Sequence, residues 1–251
     1  MRSVLARVSG TCLAFLWSTV APCQGGIGDV PDRVGIEQAT RIIFNEKDAS
    51  LSFPVRNGSD SPYLLRTYIV NPQTQTTAKQ LYVAPEVVRL SSHSTQSCRI
   101  VRLTNDFRSD RESLFFLRGL FIPASYDRAP KDSRTTSASF TVALQINLKL
   151  FYRPRALAHS NGAALASETL AVTRSGDTVR CRNTTPYHVT LSELKVQGKP
   201  CALTAENSML APFATQAYLI DKNRGTTPVT VTWRAIDDYG NLTPESKAKI
   251  P

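Results

Sequence analysis

The chain has 251 residues, a formal charge of +10 and 41% hydrophobic residues. Its basic residues are spread singly or in pairs, without the Lys/Arg block typical of nucleic-acid binding, so we expect no nucleic-acid partner and favour an acidic protein partner. No uninterrupted apolar run reaches the length of a membrane span, and we therefore expect no stable membrane insertion.

The first residues have the order of a secretory signal peptide. Arg2 and Arg7 precede a short apolar patch at residues 12–17, and small residues follow around Ala21 and Gly25. The apolar patch is too short to span a bilayer. We therefore predict an exported protein whose signal peptide, residues 1–25, is cleaved somewhere between residues 21 and 26.

Short apolar runs punctuated by Gly, Pro, Asn and Asp fill the rest of the chain and predict β-strands, whereas no amphipathic pattern exceeds two helical turns. Before residue 154 the predicted strands are 39–44, 51–56, 63–70, 86–90, 97–103, 114–121 and 140–152. After it they are 169–172, 178–182, 188–196, 209–212, 216–220 and 229–235. The pattern predicts an all-β protein with two tandem immunoglobulin-like sandwiches, residues 26–154 and 155–251.

The longest predicted strand, residues 140–152, follows a polar segment, residues 124–139, that has no periodicity. Alternate positions in its upstream half are apolar, and Pro154 ends the run. We predict an edge strand, which would be an aggregation hazard unless a partner is meant to pair with it. Residues 148–152 are apolar on both parities and should be buried on both sides.

Four segments resemble the PapD-like periplasmic pilus chaperones of the chaperone–usher pathway, in that family's order. They are Ala39-Thr-Arg-Ile-Ile-Phe44, Asp110-Arg-Glu-Ser-Leu-Phe115 before Phe121-Ile-Pro123, Asn147-Leu-Lys-Leu-Phe-Tyr-Arg-Pro154, and Asn183-Thr-Thr-Pro-Tyr-His-Val-Thr-Leu191 followed by Asp238-Tyr-Gly240. The resemblance implies a boomerang arrangement of the two sandwiches and a periplasmic location. It also implies a chaperone that binds and caps pilus or fimbrial subunits by donor-strand complementation and delivers them to an outer-membrane usher.

The resemblance assigns roles to five charged residues. Arg41 and Lys149 would anchor the C-terminal carboxylate of the subunit. A guanidinium can hold a carboxylate through two parallel hydrogen bonds, and an ammonium adds a compact second charge. Glu112, Arg153 and Asp238 match an interdomain charge cluster, which would fix the angle between the sandwiches without touching the partner.

The donor strand would present its alternate apolar side chains to a subunit whose own fold lacks a strand. These side chains are Phe140, Val142, Leu144 and Ile146. When no subunit is bound, we expect this edge to be covered either by self-association into a homodimer or by an ordered loop. The length of the segment 124–139 leaves the short-loop and long-loop subclasses of the family open.

Cysteine usage points to one disulfide. Cys12 and Cys23 belong to the leader region, which leaves Cys98, Cys181 and Cys201. In an oxidising compartment Cys181 and Cys201 can join two parts of the second domain, the alternative being that all three are buried free thiols. We predict the Cys181–Cys201 disulfide and a reduced Cys98.

The sequence carries no pattern typical of an enzyme. The three histidines, His93, His159 and His188, are scattered, and neither a metal-binding motif, a nucleophile elbow nor a phosphate loop occurs. We predict a protein that is not an enzyme and has no cofactor or metal, with its histidines solvated on the surface.

The alternative function is that of a secreted tandem Ig-like adhesion or binding module. Three formal N-glycosylation triplets, which begin at Asn57, Asn183 and Asn241, would suit such a module. An adhesion module would bind glycan or matrix alone and would not be expected to leave an apolar edge strand beside a basic cleft. A chaperone would instead co-purify with an incomplete subunit.

Overall fold

This computed structural model describes residues 33–37, 40–124, 142–158, 161–220 and 228–250. Short strands that bury alternate side chains form two β-sandwiches. The first sandwich contains β1 (Val34–Ile36), β2 (Arg41–Asn45), β3 (Ser50–Asn57), β4 (Tyr63–Val70), β5 (Leu81–Ala84), β6 (Val87–Leu90), β7 (Ser94–Arg102), β8 (Ser113–Pro123) and β9 (Leu144–Arg153). The second contains β10 (Ala171–Ser175), β11 (Thr178–Arg182), β12 (Val189–Val196), β13 (Lys199–Pro200), β14 (Met209–Leu210), β15 (Thr215–Leu219), β16 (Val229–Ile236) and β17 (Ser246–Ile250). A 3₁₀ turn (Arg155–Leu157) and a short helix, α1 (Gly162–Glu168), lie between them.

The first sandwich packs a sheet of order β1-β3-β7-β5 against one of order β2-β9-β8-β4-β6. Alternate residues of β4 and β8 face inward, and Leu65, Leu117 and Phe121 are fully buried there with Phe53 of the facing sheet. Burial of such large side chains supplies most of the driving force for folding. All pairs in these sheets are antiparallel except β2 with β9, which run parallel.

The second sandwich packs a sheet of order β10-β11-β15 against one of order β13-β12-β16-β17, with β14 also paired to β12. Its core includes Val179, Leu194 and Trp233. The indole nitrogen of Trp233 donates a hydrogen bond of 2.8 Å to the carbonyl oxygen of Ser167, which ties α1 to β16. Both sandwiches belong to one compact unit.

A buried asparagine closes one turn in each sandwich, at the end of β3 in the first and directly after β11 in the second. Asn57 ends β3, and its amide donates to the carbonyl oxygens of Ser61 and Ser91 at 2.9 Å. Asn183 follows β11, and its amide donates to the carbonyl oxygens of Tyr187 and Ala211. Both asparagines are fully buried, so their polar groups are satisfied inside the protein.

The prediction of an all-β protein with two immunoglobulin-like sandwiches is confirmed. The prediction that residues 140–152 form an edge strand is wrong for the downstream half. There, β9 is paired on both sides, because β2 adds to it from Lys149 to Arg153 while β8 pairs along its full length. The polar segment 124–139 and Phe140 fall almost wholly outside the described residues, as do the signal peptide and His159.

Candidate functional site

Arg41 and Lys149 are direct neighbours on the parallel pair β2 and β9. Arg41 is buried, and its guanidinium carbon lies 5.4 Å from the centre of the Phe151 ring. Lys149 is half-buried, and its Nζ donates a long hydrogen bond of 3.4 Å to Oγ1 of Thr190 on β12. Because β12 belongs to the second sandwich, the two cations lie at the junction of the sandwiches.

The two cations are poorly compensated within the fold. Burial lowers the pKa of Lys149 to about 8, and the charge of Arg41 acts in the same direction. Burial also lowers the pKa of Arg41, although Asp238 and Glu112 partly oppose that shift. Within the described residues Nε of Arg41 has no hydrogen-bond partner, and neither cation forms an ion pair. Two neighbouring like charges, of which one is buried and the other half-buried, favour a bound anion.

The upstream half of β9 offers an open sheet edge beside this pair. Residues 144–148 pair with β8 on one side, and no described strand pairs with them on the other. Leu144 is 45% exposed, and Val142, just before the strand, is 79% exposed. Ile146 differs from them, because it is only partly exposed and packs against the first core. The open edge thus runs toward Lys149.

The structure brings Glu112, Arg153 and Asp238 together between the sandwiches. Nε of Arg153 donates to Oε1 of Glu112 at 2.8 Å, and its two terminal nitrogens donate to the two oxygens of Asp238 at 2.7 and 2.9 Å. All three side chains are buried. Asp238 follows β16, so this bidentate pair links the end of β9 to the second sandwich.

His188 is a fourth member of this cluster that sequence reasoning missed. The expectation of a solvated surface histidine is wrong for His188, since it is 5% exposed and its Nδ1 lies 3.2 Å from Oε2 of Glu112. His93 is exposed and contacts Asp60. The position of His188 in the sequence could have indicated its burial. It lies between Tyr187 and the apolar start of β12, where a polar side chain needs a buried partner.

Tyr187 completes the junction and was also missed. The guanidinium carbon of Arg153 lies 5.1 Å from the centre of its ring, and its hydroxyl donates to the carbonyl oxygen of Leu157 at 2.9 Å. Burial raises the pKa of the Tyr187 hydroxyl, so this group stays a neutral donor. The tyrosine therefore holds the segment between the sandwiches against the charge cluster.

Two family models match nearly the whole length of both sandwiches. The PapD N-terminal domain of pili and flagellar-assembly chaperones matches residues 36–158, and the C-terminal domain of the pili assembly chaperone PapD matches residues 165–247. The chain belongs to the PapD family of pilus-assembly chaperones. The probable fimbrial chaperone protein ElfD of Escherichia coli is 34% identical to it over 247 residues, which cover 98% of this chain and 96% of ElfD.

Other PapD-family proteins are similar along most of their length. The chaperone protein FimC of Escherichia coli is 30% identical over 210 residues, 82% of this chain and 80% of FimC. The crystal structure of the E. coli chaperone DraB has a TM-score of 0.72 and 26% identity, covering 87% of this chain and 96% of DraB. A chain from the complex of the Salmonella enterica SafA pilin with the SafB chaperone has a TM-score of 0.72 at 22% identity, covering 86% and 96%, and shows the shared fold.

The cysteines of this PapD-family chain are all buried where they are described. Burial raises the pKa of the Cys98 thiol in the first core to about 11. Cys181 and Cys201 both lie in the second core, where burial and then the neighbouring Cys201 raise the pKa of Cys181 to about 12. The structure holds no disulfide among the described residues, and the Cys181–Cys201 bond stays a prediction.

The described part of this PapD-family chain offers no group of three or more acidic, histidine or cysteine side chains that could hold a metal ion. Within the same ranges, no helix has the length and hydropathy needed to cross a membrane. The family and the fold imply a role without catalysis.

Proposed function

We propose that the protein is a periplasmic chaperone that captures and caps pilus or fimbrial subunits by donor-strand complementation and delivers them to an outer-membrane usher. Its family and the fimbrial chaperones ElfD and FimC support this function. The observation that carries the proposal is the open edge of β9 at residues 144–148, which leads directly to Arg41 and Lys149.

The open edge would supply the strand that an incomplete subunit lacks. Main-chain N–H and C=O groups on an open edge are ready to pair with another chain, and such pairing provides affinity. Alternate side chains then enter the groove of the subunit and set the register. Val142 and Leu144 are the most available for this role because they are exposed, whereas Ile146 is held by its own sandwich.

The cation pair would hold the C-terminal carboxylate of the subunit. Arg41 and Lys149 face one another across β2 and β9, so a carboxylate between them would satisfy both charges. Because β9 runs from Leu144 toward Lys149, a subunit strand that ends at the cations and pairs with the open edge must run parallel to β9. Leu144 and Lys149 are five positions apart, or about 17 Å of extended chain. The position of the carboxylate anchor therefore determines which residues of the subunit strand lie opposite Val142 and Leu144.

Two asparagines weigh against the adhesion-module alternative. The glycosylation triplets at Asn57 and Asn183 begin with fully buried side chains whose amides are already hydrogen bonded within the turns. A glycan cannot be attached to such side chains without unfolding the turn. We further propose that the protein without a subunit covers its open edge by self-association or by an ordered loop, since an exposed apolar edge invites aggregation.

A pair of matched variants tests the proposal. Leu144→Glu places a charge on the open edge, and Leu219→Glu does so at an exposed position on β15 of the second sandwich, where leucine is 85% exposed. Each protein is co-expressed in the periplasm with a fimbrial subunit that carries an N-terminal affinity tag, and its melting temperature is measured alone.

We expect Leu144→Glu to lose the subunit while keeping its melting temperature, and Leu219→Glu to retain both. Burying a charge in the chaperone's own core would instead cost several kcal/mol and lower the melting temperature. Full recovery of the subunit with Leu144→Glu would contradict the proposal, as would a protein that binds glycan and never recovers a subunit.

A further inference from the structure

His188 is a buried titratable side chain that the capture mechanism above does not use. It directly precedes β12 of the second sandwich, and its ring centre lies 5.1 Å from that of Phe151 on β9 of the first. The side chain therefore crosses the junction. Two residues further along the chain, Thr190 accepts the hydrogen bond from Lys149. A shift at His188 would consequently move one wall of the proposed anchor.

The carboxylate of Glu112 is divided between the two sandwiches. Its Oε1 accepts from Arg153 at 2.8 Å, in the first sandwich. Its Oε2 accepts the backbone N–H of His188 at 2.8 Å and lies 3.2 Å from Nδ1 of the same residue. Loss of the imidazole would leave a buried carboxylate oxygen with one partner fewer, which favours reorientation of Glu112 or of the whole junction.

We propose that His188 is a positioning residue for subunit capture, which holds Glu112 through Nδ1–H and so fastens the two sandwiches to each other. The inference rests on the proposed function, because the anchor formed by Arg41 and Lys149 is what the junction positions.

The bond from the ring to Glu112 is charge-assisted, because its acceptor is a carboxylate, and such hydrogen bonds are about twice as strong as neutral ones. Both side chains are buried, so water cannot readily replace this bond.

Two variants separate the donor from the ring, and a third variant is the control. His188→Asn keeps a side-chain N–H donor near the position of Nδ1, and His188→Phe keeps a ring but has no donor. His93→Asn is the control, because the side chain of His93 is exposed and bonds only Asp60 among the described residues. Melting temperature and small-angle scattering of the protein alone, and recovery of a co-expressed fimbrial subunit, are compared among these variants and the wild type.

His93→Asn should melt, scatter and capture like the wild type. His188→Asn should capture within about threefold of the wild type, because it keeps a donor to Glu112, whereas His188→Phe should melt lower and scatter as a more loosely joined pair of sandwiches. His188→Phe should capture about tenfold less or weaker still, the loss expected for a buried charge-assisted bond.

Wild-type melting, scattering and capture in His188→Phe would overturn the inference, as would a loss of capture in His188→Asn as large as that in His188→Phe. If the wild type captures no subunit, the proposed function has failed. The scattering and melting of the proteins alone still decide the role of His188 in that case.

Discussion

Raising the pH should weaken subunit capture through Lys149. In the free protein, burial and the neighbouring charge of Arg41 lower the pKa of Lys149 to about 8. A bound carboxylate favours the ammonium form and returns the pKa toward the ordinary value of about 10.4. Linkage then predicts that the affinity for the subunit is at most about 25-fold lower at about pH 9.5 than at about pH 7. Solvent screening at this half-buried site reduces the size of the effect.

The same group has the opposite effect on the stability of the free protein. The pKa of Lys149 is lower in the folded than in the unfolded chain, so the unfolded chain binds more protons between about pH 8 and about pH 10.4. The contribution of Lys149 to the free energy of unfolding therefore rises across that window. Capture should fall while this contribution increases, which distinguishes loss of the anchor from unfolding.

Calorimetric titration of purified chaperone with a subunit that has a free C-terminus, at several pH values, measures this effect. Lys149→Arg is the matched control, because arginine stays charged throughout the range and should remove the pH dependence attributable to position 149. A subunit extended at its C-terminus should bind weakly at every pH. Equal pH slopes for the wild type and Lys149→Arg would refute the role assigned to Lys149.

A pair of glycine variants tests the packing, and peptide mapping tests the covalent structure. Gly162→Ala would drive a methyl group into the ring of Tyr187 and should cost about 1–3 kcal/mol, seen as a lower melting temperature. In Gly35→Ala the added methyl group meets only an ordinary contact with Ile146 at 3.7 Å, and this variant should melt like the wild type. Equal melting of the two would contradict the packing argument. Peptide mapping under non-reducing conditions should find Cys181 joined to Cys201, a bond that closes about twenty residues and stabilises by about 3 kcal/mol. Alkylation of Cys181 in the folded protein would rule that bond out.

Strands with one buried face could be predicted well from the sequence. The alternation in Tyr63–Val70 gives the bounds of β4 because every second side chain enters the core. The last strand, Ser246–Ile250, was not predicted. Its lysines alternate with Ser246 and Ala248, which are too small to give an apolar periodicity. The strand is defined by its antiparallel pairing with β16, which the local sequence does not show.

The partners of a strand and of a buried charge could not be predicted in the same way. A local pattern shows which residues of β9 are apolar, but the parallel addition of β2 is a contact between residues about a hundred positions apart. The sequence motifs pointed to Glu112 and Arg153, whereas the place of His188 depends on how the second sandwich meets the first. Only the assembled junction shows that Glu112 has a partner on each side.

Amide hydrogen exchange of residues 144–148, with and without a bound subunit, tests the central claim most directly. In the free protein β8 pairs these residues on one side only, so the N–H groups that point to the open edge should exchange quickly. Binding of a subunit should slow their exchange strongly, while the amides of Thr215–Leu219 at the edge of the second sandwich stay unchanged. Unchanged exchange at residues 144–148 in a stable complex would show that the subunit is not held on this edge.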